Sequence, residues 1–271
     1  MRRVFAVLAL LALPSTLPAA AEGGGESAFD LRYGMYWGGF HVADVSLHYA
    51  PEPERYESGL RIETVGLADT LLRYRGTATS EGEKTEAEAL LPTSYRFDDD
   101  SRSAWHSTEV TFDPGTASAI RIEASKRGKA RGTDVPPDLW VDVLDPLTAF
   151  LRLRRELADL SEGAQTAVPV LDGRRRFDMV AEVVGREKAE LDGRAWDALR
   201  VEVTIVPLAG FDQEDWDEAG YGDEGIRLQA LISDDERLIP LQVRTLNAPV
   251  NLVFNLDQEC EPTGVCRTPS G

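Results

Sequence analysis

Cysteine, histidine and methionine are scarce in this chain, with only two, three and three of each among 271 residues. A zinc site needs three or four nitrogen or sulfur ligands at local spacing. His41, His48 and His106 are scattered, and neither a His-Glu-x-x-His nor a Cys-x-x-Cys pair occurs, so no metal and no cofactor is assigned. The Gly-x-Ser-x-Gly turn that exposes a hydrolase nucleophile is missing as well. Glycines precede strand-like runs rather than helices, which leaves no cluster of backbone N–H groups to cradle a phosphate. Carboxylates are plentiful, as in Asp98-Asp99-Asp100, and that abundance prevents any glycosidase-like pair from being singled out without distances. No catalytic residue is assigned, and the chain reads as a non-enzyme. Basic residues are outnumbered, 29 Lys and Arg against 47 Asp and Glu for a net charge of −18. Such a field opposes non-specific binding to nucleic acid or anionic lipid, both of which need a basic surface.

Long apolar runs are also lacking, and the one near the N-terminus is short. Arg2 and Arg3 precede an apolar stretch from Val4 to Leu13, then Pro14, Pro18 and the small triplet Ala19-Ala20-Ala21. This is the layout of a secretory signal peptide, with cleavage expected after Ala21. A membrane anchor would need roughly 20 continuous apolar residues, and Glu22 stands where a lipid-anchored form would carry cysteine. Residues 1–21 are therefore read as a leader, and 22–271 as a single β-rich periplasmic domain that does not span the membrane. In that oxidising compartment Cys260 and Cys266 are expected to pair as a structural staple. Closing so short a loop stabilises by about 2 kcal/mol on the chain-entropy model.

Beyond the leader the dominant period is two, the mark of strands with one face buried. Leu199, Val201, Val203 and Ile205 alternate with Arg200, Glu202 and Thr204; Ala43, Val45, Leu47 and Tyr49 alternate with Asp44, Ser46 and His48. Similar runs surround Ile120, Ile226–Ile232 and Leu252–Leu256. Gly38-Gly39, Asp172-Gly173, Asp192-Gly193 and Asp234-Asp235 lie between such runs and read as two-residue hairpin turns. The fold class is mainly β: an antiparallel meander of ten or more strands, curled into a barrel or half-barrel. One helix interrupts it. Asp145 suits the cap, Pro146 the first helical position, and Leu147, Phe150, Leu151, Leu157 and Leu160 recur at helical spacing. Arg152, Arg154 and Arg155 are placed on its solvent side, and its apolar stripe is expected to cover the concave sheet.

Three further features bear on function. The stretch from Phe211 to Gly225 reads as a long acidic loop, and Asp212, Glu214, Asp215 and Asp217 are weighed as calcium ligands against a plain solvated loop. Two basic clusters, Lys126/Arg127/Lys129/Arg131 and Arg174/Arg175/Arg176, read as solvated hairpin tips. Trp37, Phe40, Trp105, Trp140 and Phe150, with Trp196 and Trp216 beyond them, lie near turns or the helix. The first five are the candidate lining of a lipophilic site, weighed against ordinary core packing.

Several segments together resemble the exported bacterial family known as Domain of Unknown Function 3108. They are Tyr33-Gly34-Met35-Tyr36-Trp37-Gly38-Gly39-Phe40 with Val42 and Ala43, the run Asp145–Arg154, the turn Leu171-Asp172-Gly173-Arg174-Arg175, and Ser233-Asp234-Asp235 leading to Leu238-Ile239-Pro240-Leu241. The resemblance implies an envelope protein with a curved sheet, similar to the half-barrels of lipoprotein carriers such as LolA and LolB, and implies no activity. The function expected is therefore non-catalytic: a lipophilic or amphipathic envelope ligand held in a concave sheet. The alternative is an interaction or assembly protein that docks an envelope partner through a sheet edge or the acidic loop 211–225.

Overall fold

The computed structural model describes residues 27–87, 89–124, 133–191, 193–211, 225–247, 251–261 and 266–267. The expected leader, the basic cluster 126–131, the calcium candidates and Trp216 lie outside the described residues.

The first arm of the molecule comprises β1 (Phe29–Trp37), β2 (Phe40–Pro51), β3 (Arg55–Thr64), β4 (Arg75–Lys84), β5 (Leu90–Asp100), β6 (Trp105–Asp113) and β7 (Thr116–Ala124). A short helix, α1 (Gly66–Leu71), lies between β3 and β4, and a longer one, α2 (Pro146–Leu157), follows β7. The second arm comprises β8 (Gln165–Leu171), β9 (Arg176–Leu191), β10 (Arg194–Ala209), β11 (Ile226–Ser233), β12 (Pro240–Thr245) and β13 (Leu252–Cys260). A two-residue β14 (Cys266–Arg267) turns back onto β13. Each arm is an antiparallel meander, and β1 pairs with β13, so all strands join into one 14-stranded antiparallel sheet whose outer edges are β7 and β8.

Alternation explains the face each residue takes. In β2, Ala43, Val45, Leu47 and Tyr49 are buried while Asp44, Ser46 and His48 point away from the core. Their ladder partners on β1 include Leu31 opposite Leu47 and Tyr33 opposite Val45, so apolar side chains accumulate on one face and the sheet curls around them. The β1–β2 turn uses Gly38 and Gly39 at φ of 56° and 87°, the positive values that a two-residue turn demands.

The edges β7 and β8 form no ladder with each other. The segment before α2 crosses the seam instead. On the β7 side Ala117 N–H donates to Trp140 C=O at 2.9 Å and Val143 N–H to Gly115 C=O at 3.2 Å; on the β8 side Leu144 N–H donates to Pro169 C=O at 3.0 Å and Leu171 N–H to Leu144 C=O at 2.9 Å. The result is a half-barrel spanned at its open side by one stretch of connecting chain.

Helix α2 then turns into the concavity. Leu147 and Leu151 join an apolar cluster with Tyr49, Tyr56 and Val110 of the first arm. Ala149, Leu153 and Leu157 join another with Val168, Val183 and Val201 of the second. Each fully buried large apolar side chain contributes roughly 1.5–3 kcal/mol of transfer free energy, so the helix ties both arms together from within.

Burial on two faces overturns the placement of Arg154 on the solvent side. It is 7% exposed, its Nε donates to the carbonyls of Arg237 (2.9 Å) and Leu238 (3.2 Å), and the guanidinium lies 5.0 Å from the Phe29 ring centroid. The Arg174–Arg176 cluster is likewise half-buried rather than a solvated tip, because the β8–β9 turn is tucked inward: a Cβ on Gly173 would stand 2.4 Å from Thr108 Cγ2 on β6. The Asp234-Asp235 pair opens a longer connection than a two-residue turn, since β11 ends at Ser233 and β12 begins at Pro240. Cys260 and Cys266 form a disulfide between register partners of β13 and β14.

Candidate functional site

At the start of α2 a set of buried polar groups satisfies one another inside the sheet. Asp145, Thr148, Ser58 and Ser80 are all 0% exposed. Asp145 Oδ1 accepts from the N–H groups of Leu147 (2.9 Å) and Thr148 (3.1 Å), which are free donors at the start of α2. Its Oδ2 accepts from the hydroxyls of Ser80 (2.9 Å) and Thr148 (2.5 Å), and Tyr56 Oη lies 2.7 Å from Thr148 Oγ1. Burial raises the Asp145 pKa above the ordinary carboxylate value even though these hydrogen bonds oppose it, and raises that of the Tyr56 hydroxyl. Chemically this cluster is a helix cap anchored to β3 and β4.

A groove of about 440 Å³ opens on the other side of α2, over the seam. Ala89, just before β5, Leu90 and Leu91 at its start and Val143 and Leu144 of the crossing segment give it an apolar floor, Arg152, Arg155 and Glu156 of α2 form one wall, and Asp142 adds a second carboxylate to the lining. Arg152 Nε donates to Glu156 Oε1 at 2.7 Å across one helical turn. An apolar floor beside two guanidinium and two carboxylate groups suits an amphipathic chain with a polar head, the combination of greasy contact and a few placed polar groups that small-ligand sites use. A second depression of about 400 Å³ on the outer sheet face is lined by Arg32, Asp44, Arg61, Glu63 and Asp257 among others, charges of both signs that offset each other.

The five aromatic candidates divide into two groups. Trp37 and Phe40 are register partners flanking the β1–β2 turn and are exposed. Trp105, opposite Asp100 at the start of β6, is exposed on the same rim of the sheet. Trp140 and Phe150 are half-buried and pack on the apolar cluster that holds Tyr49, Leu151 and Val110, the Trp140 Nε1–H donating to Val135 C=O at 3.1 Å. Trp196 is buried in that core. None of the five lines the groove. Its floor residues are leucines and valines that no pattern separates from core, and only the crossing of the seam brings residues near 90 beside residues near 144. Arg152 and Arg155 were legible in part, because their spacing of three marks one helix face. The histidines each sit beside a carboxylate at the surface, His41 with Asp44 at 2.9 Å and His106 with Asp99 at 3.0 Å. Among the described residues no group of three or more His, Cys, Asp or Glu is arranged to hold a metal.

Among solved structures the chain is similar to a beta-barrel-like protein of Domain of Unknown Function DUF1849 from Brucella abortus, at 10% identity and a TM-score of 0.53, covering 86% of this chain and 97% of that one. At that identity the likeness is one of fold. A candidate lipoprotein from Parabacteroides distasonis gives a TM-score of 0.32 at 8% identity, covering 86% of this chain and 94% of that one. No curated protein matches the chain. The model of the family described as "Protein of unknown function (DUF3108)" matches residues 32–254. Because that match runs from β1 into β13 and takes in both arms, the seam and α2, the chain belongs to the Domain of Unknown Function 3108 family.

Proposed function

We propose that this is a non-catalytic protein of the cell envelope, delivered to the periplasm by its N-terminal leader, which binds an amphipathic ligand at the seam. The observation that carries the reading is the groove over α2, with Leu90, Leu91, Val143 and Leu144 beneath and Arg152 and Arg155 at its wall. Since α2 and its contacts fill the concavity, the ligand is held outside the helix rather than inside the half-barrel. Its acyl portion covers the floor and its acidic head meets the guanidinium groups.

The test is a titration of the full-length protein with a fluorescent long-chain fatty acid, together with native mass spectrometry of the protein as purified from cells. Saturable binding that weakens at least tenfold in the Arg152→Ala/Arg155→Ala double variant supports the reading. Absence of saturable binding by the unmodified protein ends it. Osmotic-shock fractionation with N-terminal sequencing tests the location: release with the periplasmic fraction, beginning at Glu22, is the expected result.

A further inference from the structure

Exposed large apolar residues gather on one rim of the sheet. Phe40 is 78% exposed, Leu67 74%, Leu71 65%, Trp37 57%, Leu72 57% and Trp105 42%. They come from three consecutive connections at that end: the β1–β2 turn, the α1 segment between β3 and β4, and the start of β6 after the β5–β6 turn. Backbone hydrogen bonds join these connections into one surface. Val65 N–H, just before α1, donates to Val42 C=O of β2 at 2.9 Å, and Arg102 N–H of the β5–β6 turn donates to Leu72 C=O at 3.0 Å. Singly exposed apolar residues are ordinary on protein surfaces, whereas a joined group marks a contact site.

Helix α1 makes the point sharpest. It has six residues, buries none of them and has no side-chain cap. A helix that short is not stable by itself in water, and this one turns its leucines outward. The tip residues are also depleted of charge in a chain that is 28% Asp, Glu, Lys and Arg. Trp37 to Phe40 contains no ionic residue, and Gly66 to Leu72 contains only Asp69. The Asp69 carboxylate is held by Arg75 Nη1 at 2.7 Å and Thr64 Oγ1 at 3.1 Å. The third tip, between β5 and β6, carries Asp100 and Arg102, and Arg73 follows α1, all three exposed.

We infer that this rim docks on a lipid bilayer with zwitterionic headgroups, Trp37, Phe40 and the α1 leucines entering the boundary between headgroups and acyl chains. Tryptophans on two tips of one rim, with phenylalanine and leucines beside them, suit that boundary, where the indole's apolar body and polar N–H are both satisfied. The exposed charges of both signs beside them, Asp100, Arg73 and Arg102, match headgroups that carry both signs. The net charge of −18 opposes an anionic surface. This inference rests on the rim and stands apart from the seam groove.

The experiment is co-sedimentation of the full-length protein with phosphatidylcholine vesicles, with brominated lipid to quench tryptophan fluorescence. The protein should sediment with the vesicles and show quenching. The Phe40→Asp/Leu71→Asp variant, altered only at exposed positions and checked for an unchanged circular dichroism spectrum, should lose at least tenfold of its binding. Adding phosphatidylglycerol should not raise binding. The Arg152→Ala/Arg155→Ala variant should bind vesicles as the unmodified protein does, which separates this result from the groove. Failure to bind phosphatidylcholine, equal binding by the Phe40→Asp/Leu71→Asp variant, or binding only to anionic vesicles would each overturn the inference. So would lipid-free dimerisation abolished by that variant, which would assign the rim to a second copy of the chain.

Discussion

Helix α2 starts at an aspartate whose carboxylate accepts two backbone N–H groups and two hydroxyls, and buries seven of its residues. Helix α1 starts after Val65 with no side-chain cap and buries none. Both are rich in leucine and both interrupt the same meander, so composition does not separate them. The surroundings do: α2 packs between both arms of the sheet, and α1 stands on a rim where none of its residues is buried among the described residues. One helix holds the fold together, and the other is carried by the fold for contact with something else. The turns show the same contrast. The β8–β9 tip is packed against β6 at Gly173, whereas the β1–β2 tip is open, with nothing within 4 Å of a Cβ built on Gly39.

Matched substitutions in the two helices give the largest expected difference. Leu151, 0% exposed, becomes a cavity between the arms in Leu151→Ala, and urea denaturation should show a loss of about 3 kcal/mol. Leu71→Ala in α1 should change stability by no more than about 0.5 kcal/mol. Equal losses would show that α1 is part of the core. Asp145→Ala should lose about 3 kcal/mol as well, from the missing cap and from the Ser80 and Thr148 hydroxyls left without their acceptor.

Asp145→Asn sharpens the same point through pH. The folded-state pKa of Asp145 is raised by burial, so the folded protein holds the proton more tightly than the unfolded chain does. That contribution is fully present below the ordinary aspartate value of about 3.9 and is lost as pH rises through the raised folded value. Asparagine cannot ionise. Between pH 7 and pH 4 the urea midpoint of the unmodified protein should therefore rise relative to that of Asp145→Asn, and a constant gap would disprove the assignment.

Next come effects of about 2 kcal/mol. Arg154→Met keeps the packing of the stem but leaves the carbonyls of Arg237 and Leu238 without their donor, and chemical denaturation should record a loss of about that size. Gly173→Ala meets both a φ of 92° and the Thr108 methyl, and should lose about 2 kcal/mol in the same assay. Gly39→Ala, at a φ of 87° with open space around it, should lose only about 1 kcal/mol. If the two glycine variants lose the same amount, the β8–β9 tip is not wedged against β6.

Much of this architecture was legible in the residues. Ala43, Val45, Leu47 and Tyr49 point inward because a strand has a period of two, and that holds whatever the neighbouring strand is. Asp145-Pro146 marks the start of α2 because cap chemistry acts within one turn. The aromatic tips Trp37, Phe40 and Trp105 were visible as residues near turns. The groove was not: Leu90 and Val143 come together only through the seam crossing. Arg154 was misplaced because helical spacing assumes one wet face, and α2 has sheet on both sides. Helix α1 went unread because Gly66–Leu71 is too short to show a period.

The sequence by itself determined that an antiparallel meander forms, which face is apolar in its clearly alternating strands, where α2 starts and which cysteines pair. Those properties are set by dihedral preferences, side-chain period and short loop closure, all local along the chain. The tertiary structure alone decided that β1 meets β13, that connecting chain spans the gap between β7 and β8, and that α2 fills the hollow while α1 faces outward. Those outcomes depend on which distant apolar surfaces find each other, a long-range balance of burial that no short window of residues contains.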